Sequence, residues 1–109
     1  MSPENFARKY AIPSDILGKF QIYHDLLVKW QKAINLVSPK TIDNIWERHF
    51  ADSLRLAPYI AGEANIADIG SGAGFPGMAL AILRNDIKMI LVESDERKCE
   101  FLKTISRET

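Results

Sequence analysis

The residues with the clearest chemical meaning are four glycines that fall within eight positions, between an apolar run and a helical segment. They are Gly70, Gly72, Gly74 and Gly77. Glycine adopts positive φ angles easily, and its missing Cβ lets a ligand approach the backbone. An acidic residue, Glu93, ends the next β-like run. A glycine-rich turn followed by an acid at the end of the next strand is typical of a site for the adenosine part of a cofactor.

Two cofactor classes fit this turn. Residues 72–77 spell G-x-G-x-x-G, the dinucleotide fingerprint, but that pattern begins three residues after Ile69, where the strand is expected to end. Read from Gly70, the spacing resembles the S-adenosylmethionine loop of class I methyltransferases, which has no pyrophosphate to bind. Asp68 would place a carboxylate near the ammonium and sulfonium groups of that cofactor. The loop therefore favours S-adenosylmethionine and leaves a dinucleotide as the alternative.

A second polar cluster consists of Arg48, His49, Asp52 and Ser53. On a helix, His49 and Ser53 would share one face, and Arg48 and Asp52 would share another. The simpler interpretation is a solvated face with one Arg–Asp pair. The alternative is a set of side chains that border a cleft. The two histidines, His24 and His49, are too far apart in sequence to predict a metal site, and no catalytic residue stands out.

The elements that must position these residues follow from apolar periodicity and from helix start and stop signals. The first half reads as helical. The first predicted helix begins at Ser2–Glu4. The second follows an apolar stripe from Ile16 to Ile34 and is stopped by Ser38–Pro39. The third begins near Thr41 or Asp43 and continues through Trp46 towards Ala57.

The second half reads as alternating strands and helices. The pattern predicts strands at Ile66–Ile69 and Lys88–Val92, with helices at about Pro76–Leu83 and Asp95–Glu108. A strand–helix–strand unit of this kind forms a right-handed parallel βαβ. We therefore predict an α/β protein: a helical N-terminal segment, residues 1–62, then the first βαβα units of a Rossmann-like class I methyltransferase sheet, residues 63–109.

Only two strands are visible, whereas parallel sheets are normally larger and buried on both faces. The sequence is therefore expected to be the front part of a larger domain. Its exposed sheet edge is expected to favour self-association.

Composition sets the outer bounds. The chain has 109 residues, a formal net charge of zero and 47% hydrophobic residues, as expected for one ordinary globular domain. Cys99 is the only cysteine, so no internal disulfide can form. No apolar run approaches the roughly 20 residues of a membrane span. These features predict a cytoplasmic protein with no membrane partner.

Three segments occur in a specific order: Trp30–Val37, Trp46–Leu54 and Asp68–Gly77. Together they resemble the glucose-inhibited division protein B family, the bacterial small-subunit ribosomal RNA guanine-N7 methyltransferases. Val92–Asp95 and the residues that follow are similar to that family's second cofactor segment. The resemblance covers essentially the whole chain, as the N-terminal part of a family member. Gln31 stands where the family commonly has asparagine, and the later strands and a downstream arginine have no counterpart.

The resemblance implies methylation of guanine N7 by S-adenosylmethionine, with small-subunit ribosomal RNA or the 30S subunit as partner. Guanine N7 has a free lone pair, so catalysis would rest on positioning rather than on a general base. Glu93 would accept hydrogen bonds from the ribose hydroxyls, and Phe75 would shape the loop mouth. The predicted cofactor-binding residues are Asp68, Gly70, Ser71, Gly72, Gly74, Phe75, Glu93 and Ser94; the RNA candidates are Arg48, His49, Asp52 and Ser53.

The chain alone is expected to bind cofactor weakly, if at all, and not to methylate RNA, because only two strands would build the pocket. Two other functions remain open: an NAD(P)- or FAD-binding oxidoreductase fragment, and a non-catalytic truncated interaction module.

Overall fold

The computed structural model describes residues 1–109 as an α/β structure. Its regular elements are α1 (Pro3–Tyr10), α2 (Ser14–Gln31), α3 (Asp52–Leu54), β1 (Asn65–Ile69), α4 (Gly77–Leu83), β2 (Lys88–Val92) and α5 (Glu96–Glu108). Between α2 and β1 lie 3₁₀ turns at Ile42–Asn44 and Ala57–Tyr59 and a π-helical segment at Trp46–Ala51.

The first helix begins and ends where its capping residues predict. The Ser2 hydroxyl accepts a hydrogen bond from the Asn5 N–H at 3.0 Å, and Pro3 occupies the first helical position. Ala11 adopts a left-handed φ of 53° and closes the helix, and Pro13 precedes α2. The predicted break between the two helices is therefore confirmed.

The predicted end of α2 is wrong. The apolar stripe indicated a helix through Ile34, but α2 ends at Gln31. The Gln31 side chain is the physical reason: its Oε1 accepts from the N–H groups of Leu36 and Val37 at 3.0 and 3.1 Å, and its Nε2 donates to the Val37 carbonyl at 2.8 Å. These bonds fold the chain back, so Ile34 is buried without being helical.

The predicted continuous helix from Thr41 towards Ala57 is also wrong. The chain instead passes through a 3₁₀ turn, the π-helical segment Trp46–Ala51, the single turn of α3 and a second 3₁₀ turn. A π-helix hydrogen-bonds over five residues rather than four and is therefore wider than an α-helix. Side chains four positions apart consequently do not align along this segment as they would on an α-helix.

The two strands pair in parallel, as predicted, with Asn65 opposite Lys88 and Ile69 opposite Val92. Burial alternates along both strands, so one face is covered and the other is open. On the open face Ile69, Ile90 and Val92 are 73%, 51% and 44% exposed. Small differences concern the element ends: β1 begins at Asn65 and α4 at Gly77.

An aromatic cluster fills the space between the helices and continues to α5. The side chains of Phe6, Phe20, Tyr23 and Phe50 are completely buried. Tyr23 lies within 6.3 Å, centroid to centroid, of Phe101 on α5. The helical half and the strand half therefore share one hydrophobic core.

Candidate functional site

The glycine loop, residues 70–77, connects the carboxyl end of β1 to α4 and lies over the end of β2. The N–H groups of Gly70 and Ser71 donate to the Val92 carbonyl at 2.7 and 3.1 Å. The Ser71 hydroxyl, which is buried, donates to the Asp68 carbonyl at 2.8 Å. The start of the loop is therefore anchored to both strands at the edge where parallel sheets bind ligands.

Three loop glycines have positive φ, but their surroundings differ. Gly70 at 72° has open space where a Cβ would be, and at Gly72, with φ 56°, the nearest atom is the Gly70 carbonyl oxygen at 4.0 Å. At Gly74, with φ 97°, a Cβ would meet the Tyr23 hydroxyl and would come within 2.8 Å of the Met78 Cβ. Gly70 and Gly72 thus keep one side of the loop open, whereas Gly74 permits close packing against the helices.

Glu93 follows β2 and is half-buried beside the loop. Its Oε1 accepts from the Gly72 N–H at 2.7 Å, and its Oε2 accepts from the Asp95 N–H at 2.9 Å. These backbone donors, Asp95 first and then Gly72, hold the pKa of Glu93 below its ordinary value. Glu93 is therefore an ionised carboxylate in direct contact with the loop, and Ser94 lies exposed next to it.

Asp68 binds the far end of the loop. Its Oδ2 accepts from the Gly77 N–H, the first residue of α4, at 3.0 Å. A Cβ on Gly77 would come within 2.6 Å of the same oxygen, so glycine is needed for this close approach. The carboxylate satisfies a free N–H of the first helical turn and places negative charge at the helix N-terminus.

Phe75 is predicted to shape the loop mouth, and in the structure its ring lies within an aromatic column. It stacks on Tyr23 at 5.3 Å with an interplanar angle of 5° and on His49 at 4.9 Å with an angle of 19°. Phe75 is only half-buried. The ring thus connects the buried core to the loop surface.

The second polar cluster lies beside this column. Arg48, His49, Asp52 and Ser53 line a cleft of about 260 Å³ together with Leu56, Phe75 and Pro76. The structure therefore brings the predicted RNA candidates next to the glycine loop, although at least 17 positions (Ser53 to Gly70) separate them from it in sequence.

The predicted Arg48–Asp52 pair does not form. Asp52 instead pairs with Arg55, at 3.4 Å between Oδ1 and the guanidinium Nη1. The π-helical segment that contains Arg48 is the physical reason, because its wider turn changes the alignment of residues four apart. Arg48 is exposed at the cleft and makes no ion pair within the chain.

His49 and Ser53 do contact each other, through the backbone. The buried Ser53 hydroxyl donates to the His49 carbonyl at 2.7 Å, and the His49 Nε2 lies 2.8 Å from the Thr41 hydroxyl. Burial lowers the pKa of His49; the Asp52 charge raises it and the Arg48 charge lowers it, both to a smaller extent. At neutral pH the His49 ring is therefore uncharged.

Two residues at the site carry contacts that sequence reasoning missed. Tyr23 lies within the apolar stripe that predicts α2, yet its hydroxyl donates to the Ala73 carbonyl of the loop at 2.6 Å. Thr41 was only a possible helix start. Neither residue has a sequence signal for its role. Ala73, the partner of Tyr23, is 50 residues away, and His49, the partner of Thr41, lies in the π-helical segment.

The structure brings no three His, Cys, Asp or Glu side chains together in a metal-binding geometry. None of its helices has both the length and the apolar character needed to cross a membrane.

Comparison with known proteins gives a consistent result. The family model described as "GidB: rRNA small subunit methyltransferase G" matches residues 16–109. The chain is 47% identical over its whole length to the ribosomal RNA small subunit methyltransferase G of Paramagnetospirillum magneticum. It is 50% identical, over 88% of its length, to the protein of the same name from Rickettsia typhi. It spans 53% and 50% of these two relatives, about half their length.

Proposed function

This chain belongs to the GidB family of ribosomal RNA small subunit methyltransferase G proteins, and we propose on that basis that it binds S-adenosylmethionine through the glycine loop and Glu93. We further propose that it takes part in methyl transfer to guanine N7 in small-subunit ribosomal RNA. The family membership favours this function over the oxidoreductase alternative.

The observation that carries the cofactor proposal is the contact between Asp68 and Gly77. A dinucleotide would place its pyrophosphate at the N-terminus of the helix that follows the glycine loop. Here the Gly77 N–H already donates to the Asp68 carboxylate, and that negative charge would repel a phosphate. S-adenosylmethionine has no phosphate and carries positive charge, so the same carboxylate supports its binding.

The other loop groups also fit this cofactor. The open sides of Gly70 and Gly72 leave room for a ligand against the backbone. The Glu93 carboxylate accepts one N–H on each oxygen and keeps further lone pairs that could accept ribose hydroxyls. The proposed cofactor contacts are therefore Asp68, Gly70, Ser71, Gly72, Gly74, Phe75, Glu93 and Ser94, with Ser71 and Gly74 acting through the shape of the loop.

The side chains of the cleft suit a reaction that depends on positioning. When bound, S-adenosylmethionine would supply an electrophilic methyl group; the lone pair of guanine N7 would form the new bond to carbon as the sulfonium S–C bond breaks and S-adenosylhomocysteine leaves. The chain therefore has to orient a base rather than remove a proton. His49 lines the cleft at the end of the aromatic column and offers a ring against which a base can stack, and the unpaired Arg48 can contact an RNA phosphate.

The cofactor proposal is tested by calorimetric titration of the 109-residue chain with S-adenosylmethionine and, separately, with NAD⁺. We expect Glu93→Ala to weaken S-adenosylmethionine binding by about tenfold, because charge-assisted hydrogen bonds are lost. Gly72→Val should also weaken it, since a β-branched residue is strained at this positive φ. Glu96→Gln, an exposed acid at the start of α5, is the matched control.

Unchanged affinity in both loop variants, or NAD⁺ binding tighter than S-adenosylmethionine, would overturn the cofactor proposal.

Methyl transfer is measured separately, with radiolabelled cofactor and isolated small ribosomal subunits. We expect little or no incorporation by the 109-residue chain alone, because two strands supply only part of a pocket that normally spans several. Efficient guanine-specific incorporation would contradict that expectation.

The open sheet face supports a second proposal, self-association. Ile69, Ile90 and Val92 form an exposed apolar surface, and the two-stranded sheet has free edges on both sides. We propose that copies of the chain associate through this face or edge when no other segment covers it.

A further inference from the structure

Tyr23 reaches the glycine loop from the helical half of the molecule. It lies in the middle of α2, its side chain is completely buried, and its hydroxyl donates to the Ala73 carbonyl at 2.6 Å. The space next to Gly74 is occupied by the same hydroxyl, and the ring of Phe75 stacks on the Tyr23 ring. One side chain therefore contacts three consecutive loop residues.

We infer that Tyr23 is a positioning residue that sets the course of the glycine loop and thereby the shape of the cofactor site. The hydrogen bond holds the Ala73 carbonyl towards the core, and the ring stack orients Phe75 towards the cleft. The consequence for the cofactor rests on the function proposed above, whereas the effect on the loop does not.

The chemistry of the contact supports a specific role for the hydroxyl. A core that needed only volume would be served by phenylalanine, as at Phe20 and Phe50 in the same cluster. Burial raises the pKa of Tyr23 well above its ordinary value, and the Asp68 charge raises it further, so the hydroxyl remains a donor. Without it, the Ala73 carbonyl would lose a partner that lies in the core.

The same loop has a second anchor on its opposite side. Glu93 holds the Gly72 N–H, and Tyr23 holds the carbonyl of the next residue, Ala73. The loop is therefore fixed between a carboxylate at the end of β2 and a phenol from α2. Loss of the Tyr23 contact alone should increase the mobility of residues 73–75 and leave the end of β2 in place.

The test compares Tyr23→Phe with two controls in the 109-residue chain. Tyr10→Phe removes a hydroxyl from a tyrosine whose ring packs on Phe6 of α1. Phe20→Leu removes volume from the same helix and the same aromatic cluster, at a ring that contacts Phe6 and Phe50. Amide hydrogen exchange, followed by NMR, reports on the loop and on the strands separately.

We expect Tyr23→Phe to speed exchange of the Gly74 amide about tenfold, as for the loss of one buried hydrogen bond, with the strand amides nearly unchanged. Tyr10→Phe should change neither. Phe20→Leu should affect strand and loop amides by the same factor. If Tyr23→Phe also changed the exchange rates of the strand and loop amides by one common factor, Tyr23 would be an ordinary core residue and the inference would be overturned.

Titration with S-adenosylmethionine then separates this inference from the proposed function. Weaker binding by Tyr23→Phe, with unchanged binding by Tyr10→Phe, supports both. If no protein binds the cofactor, the proposal that this chain binds it fails, while the exchange pattern still decides whether Tyr23 positions the loop. Unchanged cofactor affinity in a variant with a mobile loop would overturn the link to the cofactor site.

Discussion

The packed core and the open sheet face of this molecule bury their apolar residues to very different extents. Between α1 and the π-helical segment, rings such as Phe6 and Phe50 are completely buried, and they contact one another at 5.0 to 6.1 Å. In the strand region, Ile69 is 73% exposed on the open sheet face. The regions on both sides of residue 62 contribute to the core, and the open sheet face is left uncovered by either of them.

This difference indicates where the stability of the fold is concentrated. Hydrophobic free energy is roughly proportional to the apolar area removed from water, so it is concentrated on the side where the helices pack. The glycine loop lies at the junction: Gly74 faces the packed side and Gly72 the open side. Substitutions in the two regions should therefore have clearly different consequences.

The largest difference is expected between Phe50→Ala and Ile90→Thr. Phe50 is completely buried among the rings of Phe6, Phe20, Tyr23, Trp46 and Phe75. Its truncation should lower the free energy of unfolding by about 3–5 kcal/mol. Ile90→Thr, on the open face, should cost less than about 1 kcal/mol. Urea denaturation measures both, and similar losses would show that the two regions do not differ as described.

The next effect compares two glycines of one loop. Gly74→Ala should cost about 2–4 kcal/mol, because the new Cβ meets the Tyr23 hydroxyl and Met78 in addition to the strain at positive φ. Gly72→Ala has only the strain and should cost about 1 kcal/mol. The same denaturation experiment applies. A larger loss in Gly72→Ala would mean that the loop does not pack against α2 as the structure describes.

A smaller effect concerns the pH dependence of stability. Because burial lowers the pKa of His49 in the folded state, the unfolded chain binds a proton there more readily. The contribution of the uncharged His49 ring to the free energy of unfolding is fully present above about pH 6.5. It is lost as the pH falls from there towards the lowered pKa of His49. Melting temperatures measured between about pH 7.5 and pH 5 should fall less in His49→Gln than in the parent chain.

His24→Gln is the control for that experiment, since it removes the other histidine and should keep the slope due to His49. Glu93 and Asp95 have lowered pKa values, so their contributions are lost only at lower pH, below about 4.5. If the melting temperature of His49→Gln fell with pH as steeply as that of the parent chain, another group would control stability between about pH 7.5 and pH 5.

The smallest effect on stability should come from the open sheet face, where it is accompanied by a change in association. Ile69→Thr should change the free energy of unfolding by no more than about 0.5 kcal/mol, because the side chain is already mostly in water. It should also lower the apparent mass at high concentration, measured by light scattering, if this face mediates self-association. Lys103→Gln, at an exposed polar position of α5 and outside the open sheet face, is the control. An unchanged mass would argue against the open face as the contact.

Much of the fold could be predicted because its signals are local. The cap at Ser2, the breaks at Pro13 and the alternation of Lys88–Val92 each act over a few residues, and each element was found close to its observed limits. The glycine loop and Glu93 were recognised from spacing alone. Their contact, from the Gly72 N–H to Oε1 at 2.7 Å, follows from the parallel pairing that the same spacing predicts.

The region between α2 and β1 was not predictable in the same way. The length of α2 depends on the Gln31 side chain binding the backbone of residues 36–37, and a helical periodicity contains no signal for that competition. The π-helical geometry of Trp46–Ala51 likewise arises where the segment packs its rings against α1 and α2. The predicted Arg48–Asp52 pair was wrong because it assumed regular α-helical spacing.

Residue types at short and regular spacings are sufficient to predict the two strands, the parallel βαβ unit and the family to which the chain belongs. The folded chain alone shows which side of the loop is open, which N–H binds the Asp68 carboxylate, and that Tyr23 holds the loop from 50 residues away. Those features depend on side chains that meet after the chain has folded, and a linear pattern does not record which distant groups will lie within hydrogen-bonding distance.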